Sequence, residues 1–327
     1  MSTYHLLRKR PYPALLSVVI PAYNESAVIA LLRRDIEQFL GEVKCAAEVI
    51  LVNDGSSDET LRGLVEWAEH DPRIGIIHLS RNFGHQAAAT AGLDHARGDA
   101  IVLIDADLQD PLYVVHQMIE RYCEGYDVVY GQREARRGEG RMKLLTAWMF
   151  YRLMRAMVDH NLPVDTGDFR LISQQCLKGL RSLRETHRFL RGMVTWVGYP
   201  QCAVKYERAA RAAGETKYPL RKMLAFAWTA ATSFSILPLQ ASLILGVIVG
   251  VFGVEEGIRA LMAVTFGWYT VPGWTSLMVV TSAIGSALLI SVGILGQYVG
   301  QIYEQSKARP IYLISRKFNI ADDGELR

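Results

Sequence analysis

Two aspartates, Asp105 and Asp107, directly follow a short run of apolar residues, Ala100–Ile104. Carboxylates at this spacing repel each other unless a cation, a hydrogen-bond donor or a water network accommodates them. A hard divalent ion such as Mg²⁺ or Mn²⁺ takes oxygen ligands and can bind a diphosphate at the same time. Gln109 adds a neutral oxygen two residues further on. The pattern predicts a metal site made of these three side chains, with a solvated acidic turn as the alternative.

Polar clusters also follow two other apolar runs near the N-terminus. Residues 21–25 (PAYNE) follow the run Leu15–Ile20, and residues 53–56 (NDGS) follow Glu48–Val52. Because the carboxyl ends of parallel strands meet at one edge of a sheet, we expect all three clusters to lie close together. NDGS alone is typical of a turn, whereas three such clusters at one edge indicate a ligand site.

The elements that must position these clusters alternate between strand and helix patterns. Predicted strands at 15–20, 48–52, 74–79, 100–104 and 127–130 alternate with predicted helices at 26–40, 59–70, 86–96 and 113–122. This alternation predicts an α/β fold with a mostly parallel sheet. The sequence contains neither GxxxxGK[ST] nor GxGxxG, so P-loop and classical dinucleotide sites lose their main support.

Charged residues disappear from long stretches of the C-terminal part. Met223–Val254 and Ala260–Tyr303 contain no Asp, Glu, Lys or Arg. A bilayer core of about 30 Å needs about 20 apolar helical residues. Within 234–303 we therefore predict two transmembrane helices, at about 235–254 and 276–298, followed by a tail at 304–327. A buried helical hairpin of a soluble protein is the alternative.

The charges that flank these spans predict their orientation. Both outer flanks are basic, whereas the connection carries Glu255, Glu256 and Arg259. By the positive-inside rule, the front domain (1–222) and both termini should face the cytoplasm from the plasma (inner) membrane. The N-terminus lacks the apolar core of a signal peptide, which agrees with this orientation. A net charge of +3 gives no support for nucleic-acid binding, and the four cysteines are too far apart in sequence to suggest a zinc or redox pair.

Six motifs in a fixed order carry a more specific signal. They are SVVIPAYNE (17–25), VNDGSSDET (52–60), RNFGHQAAATAGLDHARGD (81–99), DADLQDP (105–111), TGDFRL (166–171) and GETKYP (214–219). Together they resemble family 2 glycosyltransferases of the polyisoprenyl-phosphate branch, similar to dolichol-phosphate mannose synthases and bactoprenol glucosyltransferases. The resemblance covers roughly residues 15–318. It implies a GT-A fold, a Rossmann-like mixed and mostly parallel sheet.

The resemblance also implies a role for several side chains at the predicted site. Residues expected to bind the nucleotide are Pro21, Tyr23, Glu25, Asp54 and Asp105. Of these, Asp54 should accept a hydrogen bond from the base, and Asp105 should approach the ribose or the metal. The implied metal ligands are Asp107 and Gln109, with Asp105 beside them. Asn53 departs from the family, because many relatives carry an aspartate there.

Asp168, within TGDFR, is the implied catalytic carboxylate. It acts as a base toward the acceptor or positions acceptor and sugar, and family analogy favours the base. Asp165 is the fallback, although a turn or cap residue is the more ordinary interpretation. His85, directly after Gly84, is interpreted as a packing or capping histidine in preference to a catalytic one.

Basic residues are expected to bind the phosphates of both substrates. The cations assigned to the donor diphosphate are Arg208, Arg211 and Lys217. Those assigned to the acceptor phosphate are Arg133, Arg141 and Lys143. Interfacial amphipathic helices are predicted at about 141–160 and 219–233, where basic side chains can reach the membrane surface.

The expected reaction is inverting transfer of a hexose to the phosphate of an undecaprenyl-type lipid, with Mg²⁺ or Mn²⁺ as cofactor. UDP-glucose is the favoured donor, and GDP-mannose, UDP-GlcNAc and UDP-aminoarabinose stay open. A non-catalytic membrane assembly protein that binds nucleotide sugars is a different class of function. A processive polysaccharide synthase is disfavoured by the two spans and the missing QxxRW motif. The family also suggests a homo-oligomer.

Overall fold

The computed structural model describes residues 7–133, 166–207, 237–267 and 274–320. These residues form two units. The first contains the described residues up to 207 together with those from 310 onward, and the second contains the remainder. The two predicted interfacial helices, at 141–160 and 219–233, lie outside the described residues.

The first unit is built on one eight-stranded mixed sheet. Its strands are β1 (Leu15–Ala22), β2 (Ala46–Asn53), β3 (Ile74–Leu79), β4 (Ala100–Leu103), β5 (Val128–Arg133), β6 (Thr166–Ser173), β7 (Gln201–Tyr206) and β8 (Ile314–Phe318). Their order across the sheet is β7-β5-β6-β4-β1-β2-β3-β8. Strands β1 to β4 are parallel neighbours, whereas β6 runs antiparallel to both β4 and β5. This is the GT-A-like mixed, mostly parallel sheet that the resemblance implies.

Helices cover the sheet and bury their apolar sides against it. They are α1 (Ile29–Glu42), α2 (Thr60–His70), α3 (His85–His95), α4 (Tyr113–Cys123), α5 (Gln174–Ser182) and α6 (Leu190–Trp196). In α1 the buried residues include Leu32, Ile36 and Phe39, which recur at helical spacing and so face the core together. Every residue of β4 is buried, as expected for a strand covered on both faces.

The antiparallel strand β6 carries its first residues to the edge where β4 ends. Leu103, the last residue of β4, pairs with Arg170, so Thr166–Asp168 extends beyond the end of β4. Strands β1 and β2 end at the same edge, because β1 runs parallel to β4 and β2 runs parallel to β1. Residues separated by more than 140 positions in sequence therefore share one edge of the sheet.

The second unit contains two long apolar helices, α7 (Leu237–Phe266) and α8 (Trp274–Ser306). Both are long and apolar enough to cross a membrane. Only 6% of the most apolar stretch of each helix is buried, whereas a core helix of a soluble protein is mostly buried. They are longer than the predicted spans 235–254 and 276–298. Glu255 and Arg259, predicted to lie in the connecting loop, belong to α7 and form an i,i+4 ion pair at 3.2 Å.

The segment after α8, within the predicted tail at 304–327, pairs with the sheet of the first unit. Strand β8 pairs antiparallel with β3, and Ser80 N donates to Leu313 O at 2.9 Å. The Tyr312 hydroxyl donates to Asp94 on α3 at 2.9 Å. Since β3 would otherwise be an unpaired edge, this segment completes the sheet of the first unit.

Candidate active site

Asp168, in β6, is a buried carboxylate surrounded by donors. Its Oδ1 accepts a hydrogen bond from Arg191 Nε at 3.0 Å, and its Oδ2 accepts one from Gln86 Nε2 at 2.9 Å. His85 Nε2 is 3.3 Å from Oδ2, and Arg170 Nη2 is 3.7 Å from Oδ1. Burial alone would raise the pKa of Asp168, but Arg191, His85 and Arg170 outweigh burial and hold the pKa far below its ordinary value.

This environment bears on the two roles predicted for Asp168. A carboxylate whose pKa is strongly lowered is a weak proton acceptor, because its ionised form is already stabilised by neighbouring cations. The contacts with Arg191, Gln86 and His85 would also suit a positioning role, and the role of Asp168 as base or positioning residue stays a prediction. Asp165, the fallback, lies outside the described residues.

Arg170 supports Asp168 from inside the fold. Its side chain is buried, its Nε donates to the Asp168 carbonyl oxygen at 3.3 Å, and its Nη2 donates to the Gly167 carbonyl oxygen at 3.1 Å. Burial lowers the pKa of Arg170 to about 10, against the opposing effect of Asp168. The guanidinium is therefore still charged at neutral pH and serves as an internal counterion.

Asp105, at the end of β4, has the opposite environment. Its Oδ1 is buried and makes no hydrogen bond to any described residue, lying 3.5 Å from His85 Nε2. Burial raises the pKa of Asp105 to about 6; Asp168 and Asp110 add to this effect, and His85 opposes it. A buried carboxylate oxygen that lacks a donor is suited to a cation.

The other predicted metal ligands lie on the same loop. Asp107 Oδ1 accepts the backbone N–H of Gln109 at 3.1 Å, and the Gln109 side chain is buried. Between them Leu108 has φ +57°, a left-handed conformation that a leucine rarely adopts and that marks a constrained loop.

The side chains of Asp105, Asp107 and Gln109 carry the hard oxygens that a divalent ion takes. Among the described residues no three His, Cys, Asp or Glu side chains form a complete metal cluster. Mg²⁺ sites in nucleotide enzymes commonly use one or two carboxylates and complete their shell with phosphate oxygens and water. The assignment of Asp105, Asp107 and Gln109 as ligands in such a site stays a prediction.

His85 and Gln86 belong to the site, although sequence reasoning assigned His85 to packing and gave Gln86 no role. They open α3 after Gly84, whose φ is +97°. His85 Nε2 faces both Asp168 and Asp105; burial lowers the pKa of His85, but the two carboxylates outweigh burial and raise it. The available signal was their position at the start of a predicted helix, after the loop that follows the predicted strand 74–79.

Asp54 makes a contact different from the predicted one. It is 2% exposed, and its two oxygens accept the backbone N–H groups of Phe83 at 2.7 Å and Gly84 at 2.9 Å. Its neighbour Gly55 has φ +64°, and a Cβ there would lie 2.3 Å from the Arg81 carbonyl carbon. Asp54 therefore holds the loop that leads into α3, and the predicted bond to a base stays a prediction.

The residues predicted to line the nucleoside pocket stand at the end of β1. Pro21 lies within β1 opposite Val52, and the Tyr23 ring is 46% exposed. Glu25 N donates to Thr60 Oγ1 at 2.8 Å, which ties this loop to the start of α2. The three residues share the edge of the sheet with Asp54, and their binding role stays a prediction.

Asn53, the departure from the family pattern, uses both ends of its amide. Its Oδ1 accepts the Ser56 N–H at 3.2 Å, and its Nδ2 is 3.1 Å from His78 Nδ1. Burial lowers the pKa of His78; the contact with Asn53 opposes this effect and Arg316 adds to it. An amide thus satisfies this position without a charge.

Of the predicted phosphate-binding cations, only Arg133 belongs to the described parts of the chain. Arg133 ends β5, where it pairs with Tyr206 of β7, but its side chain is not described. The other such residues are Arg141, Lys143, Arg208, Arg211 and Lys217.

Comparison with known proteins places this geometry in a family. The family model for glycosyl transferase family 2 matches residues 17–181. The glycosyltransferase YkcC of Bacillus subtilis is 43% identical over 304 residues, covering 93% of this chain and 94% of that protein. Bactoprenol glucosyl transferases of Shigella phages SfV and SfX are 35% and 36% identical, covering 92% of this chain and 98% and 99% of theirs.

Solved structures were also compared. Glucosyl-3-phosphoglycerate synthase from Mycobacterium tuberculosis, with Mn²⁺, UDP and phosphoglyceric acid, is 20% identical with a TM-score of 0.48, covering 67% of this chain and 76% of that one. The mannosyltransferase PcManGT from Pyrobaculum calidifontis is 17% identical with a TM-score of 0.45, covering 93% and 88%. On the family match and the near full-length relatives, this chain belongs to glycosyl transferase family 2 and is a glycosyltransferase.

Proposed function

We propose that this glycosyltransferase moves a hexose from a nucleotide sugar to the phosphate of a polyprenyl lipid, with inversion at the anomeric carbon. The phage relatives named bactoprenol glucosyl transferase support this acceptor, since they align over 92% of the chain. Their name also favours glucose, hence UDP-glucose, as the donor. GDP-mannose, UDP-GlcNAc and UDP-aminoarabinose are the competing donors.

One observation carries the proposal: two carboxylates in opposite environments share the edge of the sheet. The charge of Asp168 is stabilised by donors of the protein itself, among them Arg191 and Gln86. Asp105, in contrast, has a buried oxygen that accepts no hydrogen bond from the described residues. When two neighbouring titratable groups have environments that shift their pKa values in opposite directions, the two groups commonly have different roles in catalysis. A diphosphate leaving group needs such a cation site beside it.

The proposed step needs no proton transfer from the acceptor. A phosphate monoester has a second pKa of about 6, so the acceptor is largely a dianion near pH 7. One of its oxygens forms a bond to the anomeric carbon while the bond from that carbon to the diphosphate oxygen breaks. The electron pair of the broken bond leaves with the nucleoside diphosphate.

The residues of this chain would position and neutralise the reacting groups. Ionised Asp168 holds Arg191 and Gln86 in place. Asp105, Asp107 and Gln109 would hold the divalent ion, which when bound offsets the negative charge of the leaving diphosphate. The cations predicted for the two substrate phosphates complete the proposed site.

The acceptor is a lipid, so the reaction would take place at a membrane surface. Helices α7 and α8 are long and apolar enough to cross the membrane. With basic residues on both outer flanks, we propose that the catalytic unit and both termini face the cytoplasm from the plasma membrane. Reactivity of single-cysteine variants in α7 and the catalytic unit toward an impermeant thiol reagent in intact cells tests this orientation.

Radiolabelled sugar transfer tests the reaction. The full chain in detergent is mixed with undecaprenyl phosphate, Mn²⁺ and one of the four labelled donors. The expected result is label in an organic-extractable lipid, highest with UDP-glucose, and loss of transfer in Asp107→Asn. An Arg33→Ala enzyme, altered in an exposed ion pair with Glu37 on α1, should keep full activity. Absence of lipid-linked label with all four donors would overturn the proposal.

A further inference from the structure

Arg191 is a partly exposed cation beside the buried carboxylate of Asp168. We propose that the terminal guanidinium nitrogens of Arg191 bind a phosphate oxygen of a substrate, and that Asp168 and Gln86 hold the guanidinium in the orientation this requires. The assignment rests on the proposed glycosyl transfer and adds a substrate-binding residue to the same site.

The contact with Asp168 uses only one part of the guanidinium. Arg191 Nε donates to Asp168 Oδ1 at 3.0 Å. An arginine carries five N–H donors, and the other four are on the two terminal nitrogens. The Arg191 side chain is 28% exposed and that of Asp168 is 8% exposed. The carboxylate is thus the buried end of the pair, and the guanidinium is the end that solvent reaches.

Arg170 shows how a purely structural arginine differs at the same carboxylate. Its side chain is 6% exposed, and its Nε and Nη2 donate to the carbonyl oxygens of Asp168 and Gly167. Burial places this guanidinium out of reach of a substrate. The two arginines therefore have different roles. Arg170 balances the charge of Asp168 inside the fold, and Arg191 faces solvent.

Arg191 is held from two directions. Gln86 donates from Nε2 to Asp168 Oδ2 at 2.9 Å, and its Oε1 accepts the backbone N–H of Leu190 at 2.9 Å. The same carboxylate therefore fixes the side chain of Arg191 directly and the start of α6 through Gln86. Leu190 and Met193 are 1% exposed and pack this helix into the unit. A guanidinium held in this way loses little conformational entropy when an anion binds.

The charge balance of the site favours an anion at this position. Asp105 and Asp107 make the loop after β4 negative, so substrate phosphates would be repelled without cations nearby. Arginine binds phosphate oxygens through charge-assisted, often bidentate hydrogen bonds. Both the donor diphosphate and the acceptor phosphate offer this chemistry, and kinetics can distinguish them.

The test compares Arg191→Ala and Arg191→Lys with the exposed control Arg33→Ala, all in the full chain in detergent. Steady-state transfer is measured with the donor varied at saturating lipid, and then with the lipid varied at saturating donor. We expect Arg191→Ala to lower kcat/KM by about 10²–10³-fold, the range found when one charge-stabilising donor is removed. A raised KM for the nucleotide sugar would identify the diphosphate as the ligand, and a raised KM for the lipid would identify the acceptor phosphate.

Chemical rescue separates binding from a structural role. Added guanidinium ions should restore part of the activity of Arg191→Ala and leave Arg33→Ala unchanged. Arg191→Lys should keep only part of the activity, because an ammonium cannot both replace the Nε contact and present a planar pair of donors.

Three outcomes would overturn the assignment. If the wild type is active and Arg191→Ala has unchanged kcat/KM for both substrates, the assignment is overturned and the proposed function stands. Loss of activity that tracks an equal loss of thermal stability, without rescue by guanidinium, would show that Arg191 is structural. A wild type inactive with every donor would overturn the proposed function and this assignment together.

Discussion

The start of β6 and the loop after β4 both present a carboxylate at one edge of the sheet, yet they treat it in opposite ways. At β6 the pKa of Asp168 is held far below its ordinary value, because Arg191, His85 and Arg170 together outweigh burial. After β4 the pKa of Asp105 rises to about 6 through burial and neighbouring acids. One acid is compensated by the protein, and the other is suited to a cation from outside.

This difference shows that burial alone does not set the behaviour of an acid at this edge. Removing a partner from a compensated buried pair leaves an unbalanced charge and costs stability. Neutralising an acid whose ionised form the fold disfavours removes that cost, so it should affect function more than folding. Matched substitutions at the two positions can therefore test whether the two acids differ in their effects on stability and activity.

The largest effect on activity is expected from Asp105→Asn. It should reduce sugar transfer by about 10³-fold or more, since a divalent ion supplies several kcal/mol of charge stabilisation in such reactions. Its apparent Tm in detergent at pH 7.5 should equal or exceed that of the wild type, because burial of Oδ1 and the neighbouring acids disfavour the ionised form of Asp105. A thermal melt and a transfer assay on the same preparation check both parts. An apparent Tm clearly below that of the wild type would show that Asp105 is a compensated acid after all.

Asp168→Asn should instead lower stability as well as activity. Removing one member of a buried charge cluster costs about 3–5 kcal/mol, because Arg170 is left buried without its counterion. Denaturant unfolding of the first unit, followed by fluorescence of its buried Trp67, measures this loss. Wild-type stability in this variant would contradict the view that Asp168 organises the site.

The pH dependence of metal binding is a third distinction. Because the folded pKa of Asp105 is about 6 and the unfolded value is 3.8, its ionisation opposes folding, and the metal-free protein loses stability as pH rises through that window. A bound cation needs the ionised form, so Mn²⁺ affinity should fall by up to about tenfold per pH unit below 6. The Mn²⁺-dependent rise in apparent Tm, compared at pH 5 and pH 7.5, measures this effect. A rise that is equal at both pH values in wild type would contradict it.

The smallest effect is expected at a compensated carboxylate remote from the strand ends. Asp94 accepts hydrogen bonds from Arg184 Nη1 at 2.7 Å and from the Tyr312 hydroxyl at 2.9 Å. Tyr312→Phe should cost about 1 kcal/mol of stability, the net value of one hydrogen bond, and leave kcat unchanged. Tyr113→Phe, at an exposed ring, is the control. A large fall in kcat would show that the segment after α8 also tunes the site.

Local sequence patterns predicted most strands and helices in the N-terminal half of the first unit. The strand at 74–79 has its predicted bounds, and the other early strands and helices differ by a few residues at their ends. These elements follow from apolar periodicity and from turn residues, which are properties of neighbouring positions. The acidic motif after β4 was identified for the same reason, since its aspartates are adjacent in sequence to the strand that carries them.

Other parts depend on pairing between distant segments. Strands β6, β7 and β8 were not predicted. Strand β6 enters between β4 and β5 in the opposite direction, β7 pairs with β5 from about 70 positions further on, and β8 arrives from beyond α8. The roles of Gln86 and Arg191 at Asp168 likewise depend on residues about 80 and 20 positions away. No local periodicity encodes such contacts.

The sequence by itself determined the family, the acidic motif, the alternation of strands and helices and the two apolar helices, since each is a pattern of adjacent residues. Only the tertiary structure decided which carboxylate is compensated and which is not. The physical reason is that a pKa depends on burial and on charges within a few ångströms, and those neighbours come from strands and helices far apart in the chain.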